Sequence, residues 1–122
     1  VLIIEDGEAI RELMLTILLH EGYEGAACDA REGLETALRE PPDLILLDLY
    51  MPGLDGPQIA DELRRHEQTK AIPIVIVSAF HDAAKWFRSL TPAGVLQKPF
   101  SLEDFVTAVR AVIGPATQEE KP

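Results

Sequence analysis

The chain has 122 residues, 47% hydrophobic and 26% charged, which suits one domain with a single core and excludes a disordered composition or a membrane-spanning apolar run. A formal net charge of −10 argues against nonspecific binding to nucleic acid or to an anionic membrane surface, and turns attention to proteins and cations as partners. The single cysteine, Cys28, rules out an intramolecular disulfide, and with no secretory signal pattern the expected setting is the cytoplasm.

Apolar runs alternate with helical patterns along the chain, the signature of βαβ units and a parallel sheet. Val1 to Glu5 reads as the first strand. Ile10, Leu13, Met14, Ile17 and Leu18 then recur at helical spacing as far as Gly22. A weaker strand, Glu24 to Cys28, precedes Asp29, an N-cap for a helix that carries Leu34, Ala37 and Leu38 and stops at Pro41-Pro42. Leu44 to Leu47 is the third strand, closed by Asp48. The following Leu49 to Gly56 is rich in turn residues and is expected to continue neither strand nor helix. Pro57 suits a first helical turn, and Ile59, Ala60 and Leu63 supply that helix's apolar stripe up to the polar stretch from His66 to Lys70. Ile72 to Val77 is nearly all β-branched and reads as a buried central strand. A short fourth helix is expected between His81 and Gly94, and Val95-Leu96 as the fifth strand. Ser101 caps the last helix, whose buried face is expected to be Leu102, Phe105, Val106, Val109, Val112 and Ile113, before Gly114-Pro115 ends it.

Right-handed crossovers place the carboxyl ends of parallel strands on one edge, so Glu5, Asp6, Asp48, Ser78 and Lys98 converge there. Clustered carboxylates repel one another unless a cation or an amine intervenes. The cluster therefore predicts a hard metal, Mg2+, together with a role for Lys98. Asp48 is then placed to act as a nucleophile toward phosphorus, with Lys98 neutralising phosphoryl charge and Ser78 donating a hydrogen bond. Glu5-Asp6 alone would more often be a solvated turn; its company at matching strand ends is what singles it out. Met51-Pro52 and Asp55-Gly56 are turn chemistry that shapes the loop around Asp48. His20, His66 and His81 share no ligand spacing and are read as surface residues, Cys28 as a small buried hydrophobe, and Trp86-Phe87 as one core and one exposed ring.

In this order the motifs resemble the receiver domain of bacterial two-component response regulators: Glu5-Asp6, Asp48 with Met51-Pro52 and Asp55-Gly56, Ser78-Ala79, and Lys98-Pro99-Phe100. The likeness spans Val1 to Ile113, giving a receiver domain over 1–113 and a polar tail or linker start over 114–122. It implies a flavodoxin-like three-layer α/β/α sandwich with a five-stranded parallel sheet of order 2-1-3-4-5. It further implies Asp48 as phosphoacceptor, and Mg2+ on Asp6, Asp48 and the backbone carbonyl of Tyr50, with Glu5 acting through water. A cis peptide at Lys98-Pro99 belongs to the same pattern. The implied donor is a phosphohistidine on a sensor histidine kinase or histidine phosphotransfer protein. A homodimer through the fourth helix, fifth strand and fifth helix is a further expectation, with no direct binding of nucleic acid or membrane. The domain is expected to be no enzyme in its own right, only assisting its own phosphorylation and slow dephosphorylation.

Two departures bear on the switch. Val95 stands where the family usually has Tyr or Phe, so coupling by a rotating ring is unavailable. Tyr50 and Phe80, both bulky, occupy the positions that control water access, which predicts slow self-dephosphorylation. Three alternatives compete. A degenerate receiver would bind partners without phosphorylation; Val95 is its only support. A phosphohydrolase of the haloacid dehalogenase type needs a second acid where Tyr50 stands. A nucleotide- or flavin-binding domain needs a Gly-rich phosphate loop where Asp6-Gly7-Glu8 supplies negative charge.

Overall fold

The computed structural model describes residues 1–48, 50–51, 54–79 and 92–116. The expected helix between His81 and Gly94, with Phe80, His81 and Trp86-Phe87, lies outside the described residues, as does the tail from Thr117. The strands are β1 (Leu2–Ile4), β2 (Ala26–Cys28), β3 (Ile45–Asp48), β4 (Tyr50–Met51), β5 (Leu54–Asp55), β6 (Ile74–Ser78) and β7 (Gly94–Gln97). Four helices are described: α1 (Glu8–His20), α2 (Ala30–Arg39), α3 (Gly56–Arg65) and α4 (Leu102–Ile113).

The main sheet is parallel throughout, in the order β2-β1-β3-β6-β7. Setting aside the small antiparallel hairpin of β4 and β5 makes this the 2-1-3-4-5 order expected of a flavodoxin-like α/β/α sandwich. β3 ends at Asp48, as expected, and the short hairpin beyond it is a separate sheet that the sequence did not announce. Tyr50 pairs with Asp55 and Met51 with Leu54.

Alternation along the strands sorts the core into two layers. Leu2, Ile4, Ile45, Leu47, Ile74 and Ile76 pack with Ala37, Ile59, Ala60 and Leu63 of α2 and α3. Ile3, Leu44, Leu46, Val75, Val77 and Leu96 pack on the other side with Met14 and Leu18 of α1 and Phe105 and Val109 of α4. At Gly33, a Cβ would meet Ile4 Cγ2 at 2.9 Å, so only glycine lets α2 lie this close to β1.

Local chemistry sets the helix ends. Asp29 caps α2 by accepting the Glu32 N–H at 3.0 Å. Ser101 and Asp104 form a reciprocal capping box at α4. Gly114, at φ 77°, ends that helix in a conformation that favours glycine. Two members of the predicted apolar stripes face outward instead: Leu13 of α1 and Leu102 of α4 are 51% and 56% exposed. Each lies at the margin of its stripe, where helical spacing alone does not separate core from rim.

Candidate functional site

β1, β3, β6 and β7 all end on one edge, and their register places the chemistry. Ile4 lies beside Leu47, Asp48 beside Val77, and Ser78 beside Gln97. Glu5 therefore follows one strand end, Asp48 and Ser78 close the next two, and Lys98 follows the last. Three of these polar residues are buried: Glu5 and Asp48 are 3% exposed and Ser78 is 1% exposed.

Lys98 joins them. Its Nζ lies 3.3 Å from Glu5 Oε1 and 3.3 Å from Asp48 Oδ2. Its backbone N–H donates to the Ser78 carbonyl at 2.7 Å, which continues the β6–β7 ladder into the site. The Lys98-Pro99 peptide is cis. The other oxygen of Glu5, Oε2, accepts the Gly7 N–H at 3.1 Å. Burial, followed by the hydrogen bond and the negative charge of Asp48, pushes the Glu5 carboxyl from its ordinary 4.5 up to about 7, against the opposing pull of Gly7 and Lys98. One amine thus leaves repulsion between the two buried carboxylates, which a proton on Glu5 or a nearby cation relieves.

Asp6 is also tied to α2. Its Oδ1 accepts the Ala30 N–H at 2.8 Å, capping α2 from across the sheet edge and leaving Oδ2 as the oxygen with which it could reach a cation. Among the described residues no group of three or more His, Cys, Asp or Glu side chains could hold a metal ion by itself. A donor set of two aspartates, a backbone carbonyl and water is not such a cage, and it suits Mg2+, which keeps several waters and takes few protein oxygens. The residues present fit that ion.

The structure thus brings Glu5, Asp48 and Lys98 into direct contact, sets Ser78 at the adjoining strand end, ties Asp6 to α2, and places Tyr50 in the hairpin after β3. Sequence reasoning missed Arg11. Its Nη1 donates to the carbonyls of Glu5 at 2.9 Å and Asp6 at 3.4 Å. A signal was present: a cation in a first helical turn is disfavoured by the helix dipole and needs a local partner. Val95 in β7 is 39% exposed.

A parallel sheet of this order, with buried acids and an amine at its carboxyl edge, defines a doubly wound α/β domain whose chemistry sits at that edge. Residues 1–110 match the family model of the response regulator receiver domain, and the chain belongs to that family, a signalling domain of two-component systems. It is 33% identical over 126 residues to the phosphate regulon transcriptional regulatory protein PhoB of Escherichia coli, covering 98% of this chain and 55% of PhoB. The chain spans about half the length of the curated relatives it matches. Among solved structures, chemotaxis protein CheY4 of Vibrio cholerae superposes with a TM-score of 0.84 at 27% identity, covering 91% of this chain and 95% of CheY4. The receiver domain of sensor histidine kinase PA1611 from Pseudomonas aeruginosa, with magnesium coordinated in its active site cleft, gives 0.83 at 25% identity, covering 93% of this chain and 95% of that one.

Proposed function

We propose that Asp48 accepts a phosphoryl group from a phosphohistidine on a sensor histidine kinase or a histidine phosphotransfer protein. The observation that carries this reading is the single amine, Lys98, held 3.3 Å from two buried carboxylates at the carboxyl edge of the sheet. A carboxylate oxygen of Asp48 attacks phosphorus, the P–N bond breaks, and its electron pair leaves with the imidazole nitrogen, which then takes a proton. The product is an acyl phosphate. Lys98 exchanges a carboxylate oxygen for a phosphoryl oxygen, and the Ser78 hydroxyl donates to another. Asp6, Asp48 and the Tyr50 carbonyl, with Glu5 through water, would hold Mg2+, which supplies positive charge against the phosphoryl oxygens when bound. The magnesium in the cleft of the PA1611 receiver supports Mg2+ as the ion.

The same reading makes the domain a switch for a protein partner in the cytoplasm. A net charge of −10 makes a polyanion a poor partner for it. With Val95 in place of a ring, the signal passes through Ser78 and β7 without an aromatic rotation. With Tyr50 and Phe80 at the water-access positions, self-dephosphorylation is slow. Intact mass after incubation with acetyl phosphate, in Mg2+ and in EDTA, tests the proposal for wild type and Asp48→Asn. The expected result is a Mg2+-dependent gain of one phosphoryl group that the substitution abolishes. No gain by the wild type in Mg2+ would support the phosphorylation-independent module.

A further inference from the structure

The three residues Glu5, Asp6 and Gly7 join β1 to α1 and carry two of the three acids of the site. Their side chains are tied at several points: Glu5 to Lys98 and Gly7, Asp6 to Ala30. The backbone between them is held at one end by the sheet, where the Glu5 N–H donates to the Cys28 carbonyl at 3.0 Å. At the other end, the Arg11 N–H donates to Gly7 at 2.9 Å as α1 begins. The carbonyls of Glu5 and Asp6 accept from the Arg11 guanidinium of α1, with the shorter contact to Glu5. Arg11 is half-buried in a helix turn whose dipole disfavours a cation, beside a site that itself attracts one. The dipole counts against the guanidinium there, while the neighbouring acids and the two carbonyl contacts hold it in place.

We infer that Arg11 is a positioning residue for the cation site: it clamps the Glu5 and Asp6 carbonyls and so fixes where the two acids stand relative to Asp48. The inference rests on the Mg2+ reading above. Two effects of Arg11 on a divalent cation oppose each other. Its charge repels the ion, while the ordered loop presents the acids without a conformational cost on binding. The sign of the change on removing it therefore separates positioning from simple charge.

The test is Mg2+ titration calorimetry on wild type, Arg11→Gln and Arg11→Lys, with thermal unfolding in EDTA as the measure of folding. Loss of a residue that orients metal ligands typically weakens affinity by 10- to 100-fold, so Arg11→Gln is expected to raise the Mg2+ Kd about tenfold. Arg11→Lys keeps the charge and one donor but not the planar fork, and is expected to raise it about threefold. That direction in Arg11→Lys carries the test if Arg11→Gln does not fold. Unchanged or tighter binding by Arg11→Gln, with wild-type affinity in Arg11→Lys, identifies a charge effect and overturns the inference. A lowered unfolding midpoint with Mg2+ affinity unchanged assigns Arg11 to folding alone and overturns it too. Absence of saturable Mg2+ binding by the wild type removes the metal reading itself, an outcome distinct from both.

Discussion

β6 and β7 are neighbours in one sheet, yet β6 is buried at all five positions while β7 is buried only at Leu96. Both deliver a residue to the same site. The acids and Ser78 stand on strands covered on both faces, whereas Lys98 extends from a half-exposed edge strand. Their side chains differ accordingly: Lys98 is 27% exposed, Glu5 and Asp48 4% each. The carboxylates of the site are thus enclosed, and its amine reaches solvent. That division suits a reaction in which the nucleophile holds still while the counter-charge changes oxygens.

Substitutions graded from the centre to the edge test this contrast. Leu46→Ala, in the middle of fully buried β3, is expected to cost about 3 kcal/mol of stability in urea unfolding. A loss no larger than that of an edge substitution would remove the distinction. Gly33→Ala drives a methyl into Ile4 of β1, and this overpacking outweighs the gain in helix propensity, for a net loss of about 1.5 kcal/mol by the same measurement. Tyr23→Phe deletes the 2.7 Å hydrogen bond from its hydroxyl to the Gly114 carbonyl, where α4 ends against the α1 side of the core. The expected loss is about 1 kcal/mol, seen as a lower Tm. Val95→Ala on β7 should change stability by no more than about 0.5 kcal/mol, because the side chain already meets solvent. A larger loss would show that the edge is packed more firmly than its exposure indicates.

The buried centre was the most legible part of the fold. Continuous apolar runs announced β1, β3 and β6 to within two residues, and Asp29 and Ser101 marked helix starts by the hydrogen bonds their side chains make. Glu5, Asp48 and Lys98 were legible as a group because parallel topology forces strand ends together. Three things were not. The β4–β5 hairpin is two residues on each arm, too short for any alternation to register. Leu13 and Leu102 sit at stripe margins, where exposure depends on neighbours that no local pattern names. The turn of Asp6 toward Ala30 depends on how α2 approaches β1, which Gly33 permits from far along the chain.

The burial of β3 on both faces has a consequence for how the chain finds its pairing. In a strand with one wet face, a slip of a single residue exposes apolar groups and is rejected at once. Leu44, Ile45, Leu46 and Leu47 are all fully buried, so sliding the strand exchanges one aliphatic side chain for another and hydrophobicity alone discriminates weakly. Discrimination falls to the residues at the ends of the run, exposed Asp43 at one and Asp48 with its amine at the other. A slip in one direction draws Asp43 into the core; in the other it pulls Asp48 from Lys98, and either strands a charge. The carboxylate proposed to carry the signal thus also serves as the punctuation that tells the central strand where to stop.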